Sequence, residues 1–335
     1  MAGRGKWKQC CSKGLSQRLE KEDRISQLPD PLICQILSHL PPNENVKTSV
    51  LSSRWTSLWL WVPRLELAWW HFDNFNAFKS FGDKFFDSNR SSCIEKLKLA
   101  VKENRDYVDD DASYLKSWID AAVKRKIQHL DVWCSMDEMM PLRLYNCETL
   151  VSLKLCDVTL DDVDSFSLPF LKSMQLKFIW YRKEATFERL VSSCPVLEKL
   201  KIVDRCRFGN GKVFQVLSRS LKKLIILIGK KDPKLRSFLQ DSGTRFVIDA
   251  PRLRFLRVDD KLSESFIIND MDFNAKVDIS LPFGLDVFDE ASISSRRSSI
   301  RSFLPGISKV EEMTICRHTF KVHMTNSTFE SLLYK

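Results

Sequence analysis

A short unit, apolar-x-x-apolar-x-apolar, recurs along most of this chain and constrains its fold more than any other feature. It occurs at Ile94/Leu97/Leu99, Ile127/Leu130/Val132, Leu150/Leu153/Leu155 and Leu171/Met174/Leu176. It continues at Leu197/Leu200/Ile202, Leu221/Leu224/Ile226 and Leu253/Leu256/Val258, with weaker copies at Val277/Ile279 and Val310/Met313/Ile315. Successive central residues lie 21 to 36 positions apart. The middle gaps fall within the roughly 20 to 29 residues of a leucine-rich repeat. Apolar residues at every second position make a short strand with one buried face, and such strands stack into a parallel sheet. The far side must then be closed by helices or extended turns. Ser113 to Lys126 predicts one helix, with Leu115, Trp118, Ile119, Ala122 and Val123 inward. Further helices are expected from about Phe75, over Thr186 to Ser193, over Lys212 to Ser218 and over Ser294 to Leu304. A curved α/β solenoid follows.

The N-terminal stretch from Asp23 to Trp61 has a different period. Asp30 is a good N-cap with Pro31 at the first helical position, and Ile33, Ile36, Leu37 and Leu40 form a helical stripe. Pro41-Pro42 ends it. Asn43 is placed to cap a second helix carrying Val46 and Val50, and Ser52 or Ser53 a third with Trp55, Leu58, Trp59 and Val62 on one face. Three short helices in so small a unit hold more apolar bulk than they can bury among themselves. Surplus apolar surface of this kind marks a protein partner.

With DRISQLPDPLICQILSHLP at its start and TSVLSSRWTSLWLWVP at its end, this stretch resembles a plant-type F-box. The resemblance implies docking onto a Skp1-type adaptor and, through it, the cullin and RING partners of an SCF (Skp1–cullin–F-box) ubiquitin ligase. Carried over residue by residue, the adaptor-facing positions are Leu28, Pro29, Ile33, Ile36, Leu37, Leu40, Val50, Leu51, Ser52, Trp55, Leu58 and Trp59. The same residues also suit an ordinary three-helix core, so their division between core and contact stays open. The phrases SSCPVLEKLKIVDRC, CETLVSLKLCDVTL and APRLRFLRV are similar to the degenerate repeats of plant F-box/leucine-rich-repeat proteins. Members of that family often carry a further C-terminal FBD region. This chain ends at NSTFESLLYK with no full FBD sequence visible, which reads as a short or truncated member. The expected organisation is a basic tail at 1–20, an F-box at 21–67, a helical linker at 68–92 and irregular repeats over 93–335.

Charge and cysteine usage narrow the function classes. The net charge of +10 permits a nucleic-acid partner, yet no RRM, KH or zinc-finger signature is present. No apolar run approaches the roughly 18 to 20 residues that span a bilayer, and the basic N-terminus leads into no signal-peptide core. Ten scattered cysteines without a CxxC pair suit reduced thiols of cytosol or nucleus. Cys10-Cys11 could accept a palmitoyl group, although a plain basic tail accounts for them. Cys316, His318 and His323 lack a fourth ligand and regular spacing for a metal. Gly209 to Lys212 lacks the rest of a phosphate loop, and the acidic runs Asp109–Asp111 and Asp161/Asp162/Asp164 read as solvated turns. With no paired acid and base and no cofactor motif, the chain is expected to be non-catalytic.

The expected role is therefore recognition: the F-box holds the adaptor and the repeats bind a protein substrate for ubiquitination. The strand residues between the apolar ones should face that substrate. Lys96, Lys98, Lys154, Lys172, Lys177, Lys199, Lys201, Lys222, Lys223, Arg254 and Arg257 occupy such places, and their shared sign predicts an acidic partner surface or a merely solvated face. An adaptor-bound scaffold without ubiquitin transfer and a basic nucleic-acid-binding repeat protein are the competing classes.

Overall fold

The computed structural model of the chain describes residues 24–25, 27–87, 93–101, 113–134, 140–183, 185–204, 213–229, 245–260, 265–269, 271, 274–280, 305–307 and 310–315. Several expectations lie outside the described residues: the tail at 1–20, the Asp109–Asp111 and Gly209–Lys212 runs, the helix at 294–304 and the Cys316/His318/His323 group.

The N-terminal unit holds two α-helices, α1 (Asp30–Leu37) and α2 (Pro42–Lys47), followed by 3-10 turns at Thr48–Val50 and Ser53–Trp61. Its starts differ from the expectation. Pro29 occupies the N-cap of α1 without a side-chain cap bond, and Asp30 is the first helical residue. Pro41 takes the same place before α2, and Ser52 before the last segment makes no cap bond either. Both prolines hold extended backbone before their helix, with ψ of 146° and 149°, and Asp30 is drawn into a different interaction. The last segment winds as 3-10 helix, and Val50 falls outside α2.

Ten parallel strands form one sheet in the order β1 (Arg64–Ala68), β2 (Lys96–Val101), β3 (His129–Cys134), β4 (Ser152–Cys156), β6 (Ser173–Lys177), β8 (Lys199–Asp204), β10 (Lys223–Ile228), β12 (Phe255–Asp260), β14 (Lys276–Ser280) and β15 (Glu312–Ile315). The central residues of all nine sequence units fall in one register row: Leu97, Leu130, Leu153, Met174, Leu200, Leu224, Leu256, Val277 and Met313. The row begins one strand earlier than expected, at Leu65 on β1. The described part of the stretch expected as a helical linker, 69–87, follows β1 in the chain and precedes β2. It carries α3 (Phe75–Asp87), which packs on α4 (Ser113–Lys124).

The closing layer changes along the sheet. Helices α3 and α4 cover the first coils, and α5 (Ala185–Ser192) covers a later one. Gly82 lets α3 approach α4, since a Cβ there would run into the Trp118 ring. Short strands β5 (Thr159–Leu160) and β7 (Trp180–Tyr181) pair between them. Beyond α5 the cover is a three-stranded parallel sheet of β9 (Val213–Leu217), β11 (Arg245–Asp249) and β13 (Ser265–Ile268). The helix expected over Lys212 to Ser218 is therefore a strand. Phe214 and Val216 alternate inward, and Phe214, Phe246 and Phe266 stack in register with centroids 5.5 and 5.2 Å apart. Asp157 and Phe178 take positive φ directly after β4 and β6, at matching points of successive coils where the chain turns off the sheet.

Candidate functional site

The helical unit divides its apolar residues between two faces. On α1, Ile33 and Leu37 point into the core at 0% and 1% exposure, while Leu32 and Ile36, on the other face, are about half exposed. Leu40 continues the exposed side. Trp55, Leu58 and Trp59 are buried, whereas Val50 and Leu51 stand out at 87% and 64% exposure. The division that the sequence leaves open falls as follows: Ile33, Leu37, Trp55, Leu58 and Trp59 are buried in the core of the unit. Of the remaining candidates, Pro29, Ile36, Leu40, Val50, Leu51 and Ser52 are exposed and Leu28 is half-buried. Ile25, Leu32 and Val46 are exposed as well and were missed. For Leu32 the signal was present, one turn before Ile36.

Arg54 ties the two ends of the unit together. Its Nε donates to Asp30 Oδ1 at 2.8 Å and its Nη2 to the Leu28 carbonyl at 2.5 Å. The arginine of the RW element thereby holds the LPD element, with Trp55 beside it buried in the core. A charge-assisted pair of donations fixes orientation better than a lone surface ion pair. Cys34 donates to the Leu58 carbonyl at 3.5 Å, and burial, with Asp30 nearby, pushes its thiol up.

The unit joins the sheet without a spacer. Val62 is buried, and the Pro63 carbonyl accepts from the backbone N–H groups of Glu95 and Lys96 at 2.7 and 3.1 Å. Arg64 makes a two-pronged bond to Glu95, with donors 3.0 and 2.9 Å from the carboxylate oxygens. That hydrogen bond holds the Glu95 carboxyl below the usual carboxylate range. The rings of Trp59 and Phe81 meet at 5.0 Å, so one apolar core runs from the helical unit into the first coil.

The open face of the sheet is less uniformly basic than expected. Lys98 pairs with Glu66 at 2.5 Å, Lys154 approaches Asp131 at 3.9 Å, and Arg257 reaches Asp278 at 3.5 Å. Lys222 pairs with Glu198 at 2.9 Å and Lys276 with Glu312 at 2.5 Å. The shared positive sign drawn from the sequence therefore fails at both ends of the sheet, because the register sets carboxylates beside those lysines and arginines. It holds in the centre, where β6, β8 and β10 present Lys177, Lys199, Lys201 and Lys223 and no outward carboxylate. Lys172 and Arg254 lie just before β6 and β12, and Lys96 lies on β2. Outside the lysine rows, Trp70 and Trp133 form an exposed aromatic pair with centroids 5.8 Å apart.

The remaining polar clusters have structural partners. Asp162 binds Lys183 and Arg189, and Thr186 donates to it at 3.3 Å; Asp161 lies 3.7 Å from Arg182. Asp161 and Asp162 of the acidic run are thus paired with cations, and among the described residues no cluster suits a metal ion. Burial pushes the Cys194 thiol up to about 11 and the Tyr145 hydroxyl up to about 12, away from reactive ionisation at neutral pH. Among the described residues no helix is long and apolar enough to cross a membrane.

A small helical unit with an outward apolar face, fused to a parallel repeat sheet, defines a protein of the F-box and leucine-rich-repeat class. The F-box domain profile matches residues 25–67, and the profile for the LRR repeats of FBD-associated F-box protein At5g56370 matches residues 115–283. An FBD-associated F-box protein of Arabidopsis thaliana, At5g53635, is 57% identical over 92% of this chain and 71% of its own length. The F-box/FBD/LRR-repeat protein At5g25850 of the same plant is 53% identical over 93% of the chain and 63% of its own length. A third, At5g22700, is 40% identical over 90% and 68%. The chain belongs to this F-box/FBD/LRR-repeat family and spans about two thirds of the length of these relatives. F-box domains generally bind Skp1 adaptors within cullin-RING ligases, and F-box/LRR proteins are generally non-catalytic substrate adaptors.

Proposed function

We propose that this chain is the substrate-recognition subunit of an SCF-type E3 ubiquitin ligase, docking a Skp1-type adaptor through its F-box and a protein substrate through its repeats. The observation that carries the reading is the split α1 helix. Leu32, Ile36 and Leu40 face solvent beside the exposed Val50 and Leu51, on a unit already filled by Ile33, Leu37, Trp55, Leu58 and Trp59. Large apolar side chains left outside a complete core indicate a protein interface. The adaptor contact then comprises Leu28, Pro29, Ile36, Leu40, Val50, Leu51 and Ser52, extended by Ile25, Leu32 and Val46. The buried five shape that surface from behind.

The mechanism is proximity. Adaptor, cullin and RING partners bring a charged ubiquitin-conjugating enzyme near the substrate, raising effective concentration without chemistry by this chain. The continuous core through Trp59 and Phe81 supports a fixed distance between the adaptor face and the repeats. The finer architecture of this reading is a box acting as a three-helix unit, with its last helix wound as 3-10, and a curved solenoid. Nucleus and cytosol are where such a ligase would act. The test is reconstitution: the chain purified with adaptor, cullin and RING subunits should support ubiquitin transfer to a protein that co-purifies with the repeats. Stable adaptor binding with no transfer to any co-purifying protein would favour a scaffold instead.

A further inference from the structure

The register of the sheet, rather than the overall charge, singles out one patch on its open face. Lys199 stands directly opposite Lys223 on the neighbouring strand, and Lys201 follows two residues along β8. Neighbouring strands lie about 4.8 Å apart, so these like charges repel at close range and weaken the sheet. Lys177 adds a fourth cation one strand away, on β6. Elsewhere on the face the fold sets a carboxylate beside a lysine or arginine, as Glu66 does for Lys98 and Asp278 for Arg257. The nearest acid, Glu198, is engaged by Lys222 at the strand entrance. Half-exposed Ile225 lies between Lys201 and Arg257 across the strands, Leu227 lies between Val203 and Asp259, and Lys223 Nζ sits 4.7 Å over the Phe255 ring.

We propose that this patch on β6, β8 and β10 is the docking site for a short acidic peptide segment of the substrate. The segment would set Asp or Glu carboxylates on Lys199, Lys201 and Lys223 and an apolar side chain on Ile225, ending before Leu227, which Asp259 faces. Charge complementarity selects the partner, and the width of the patch selects its class. Three strands span about 10 Å between the outer two. A nucleic acid, charged at every nucleotide, would run on over the Lys154–Asp131 pair on one side and over Asp259 and the Arg257–Asp278 pair on the other, where no surplus of positive charge meets it. An acidic stretch within a protein can be as short as the patch. This deepens the substrate-receptor reading and rests on it for the word substrate, but binding at the patch needs no adaptor.

The experiment uses the full chain and a fluorescent peptide of glutamates flanking leucine, read by anisotropy at low and moderate salt. The native chain should bind it with a steep salt dependence. Lys199→Glu with Lys201→Glu and Lys223→Glu should weaken binding by at least about tenfold, while Lys98→Glu at the neutralised end should change it less than about twofold. The milder Lys199→Gln with Lys223→Gln removes the repulsion and keeps the fold measurable by circular dichroism, and it should still weaken the peptide. Equal peptide binding by native and glutamine variants would overturn the proposal, as would tighter binding of a single-stranded oligonucleotide of equal charge. Adaptor capture by the same variants reports separately on the ligase reading: loss of peptide with adaptor retained supports the patch, whatever the outcome of ubiquitin transfer.

Discussion

The F-box and the repeat sheet turn opposite chemistry toward solvent, and they hide it in opposite ways. In the box, Leu32, Ile36, Val50 and Leu51 are exposed apolar groups on a unit whose core is complete without them. On the sheet, many of the outward strand residues are charged, and most charges near either end find a partner across strands. What each region leaves unsatisfied is informative: apolar surface in the box, and positive charge at Lys199, Lys201 and Lys223 in the sheet. An apolar surplus can be read from the spacing of residues along one helix. A charge surplus depends on which strands lie side by side.

The comparison can be broken most forcefully within the box itself. Leu37→Asp places a carboxylate where exposure is 1%, and should cost at least about 3 kcal/mol, enough to unfold the box and lose the adaptor together. Leu51→Asp changes a solvent-facing side chain, so the melt should move by no more than about 0.5 kcal/mol while adaptor binding is lost. Comparing the two by circular dichroism and co-purification separates core from contact. Gly82→Ala tests the joint between α3 and α4: its new Cβ meets Trp118, and about 1 to 3 kcal/mol of stability should go, read as a lower Tm.

Smaller effects sharpen the polar side of the contrast. Arg54→Ala removes the donations to Asp30 and Leu28 and should lower stability by about 1 kcal/mol, with a loss of adaptor affinity beyond that expected from stability alone. Lys223→Gln relieves the repulsion with Lys199, worth about 0.2 to 0.5 kcal/mol, but gives up the contact with the Phe255 ring, so stability should change by less than about 0.5 kcal/mol, read as a small Tm shift. The Arg64–Glu95 pair gives a pH signature. Glu95 titrates below its unfolded value of about 4.3, so its contribution is full above that pH and fades as pH falls through the lower folded value. The Tm difference between native chain and Glu95→Gln should therefore be present at neutral pH and shrink in acid, never exceeding about 1 kcal/mol at this partly exposed site.

Much of the repeat architecture was legible because a period of two encodes a one-sided strand. All nine units named by spacing became neighbours in one row, from Leu97 to Met313. Pro63 to Trp70 reads as an extended piece leading out of the box, and it was not counted with the repeat units although Val62, Leu65 and Leu67 keep the same spacing, because it follows the box with no break in between. Over Lys212 to Ser218 the apolar residues fit both periods. Pairing with β11 and the Phe214–Phe246 stack decided for strand, and neither contact is written in the local sequence. The same limit applied to the candidate sites. The apolar stripe of α1 named candidates but not that Ile33 and Leu37 turn inward while Ile36 turns out, since that depends on where Trp55 and Leu58 pack. Nor could counting lysines along the chain reveal that Glu66 neutralises one and Lys223 opposes another.

The central claim is that an exposed apolar face, held by a separate buried core, docks the adaptor. The most direct measurement is the affinity of the purified chain for a Skp1-type adaptor, compared with a Val50→Asp, Leu51→Asp double variant whose melt is recorded in parallel. The native chain should bind tightly and the variant at least about a hundredfold more weakly, with Tm nearly unchanged. Equal affinity of the two folded proteins, or no binding by the native chain, would contradict it.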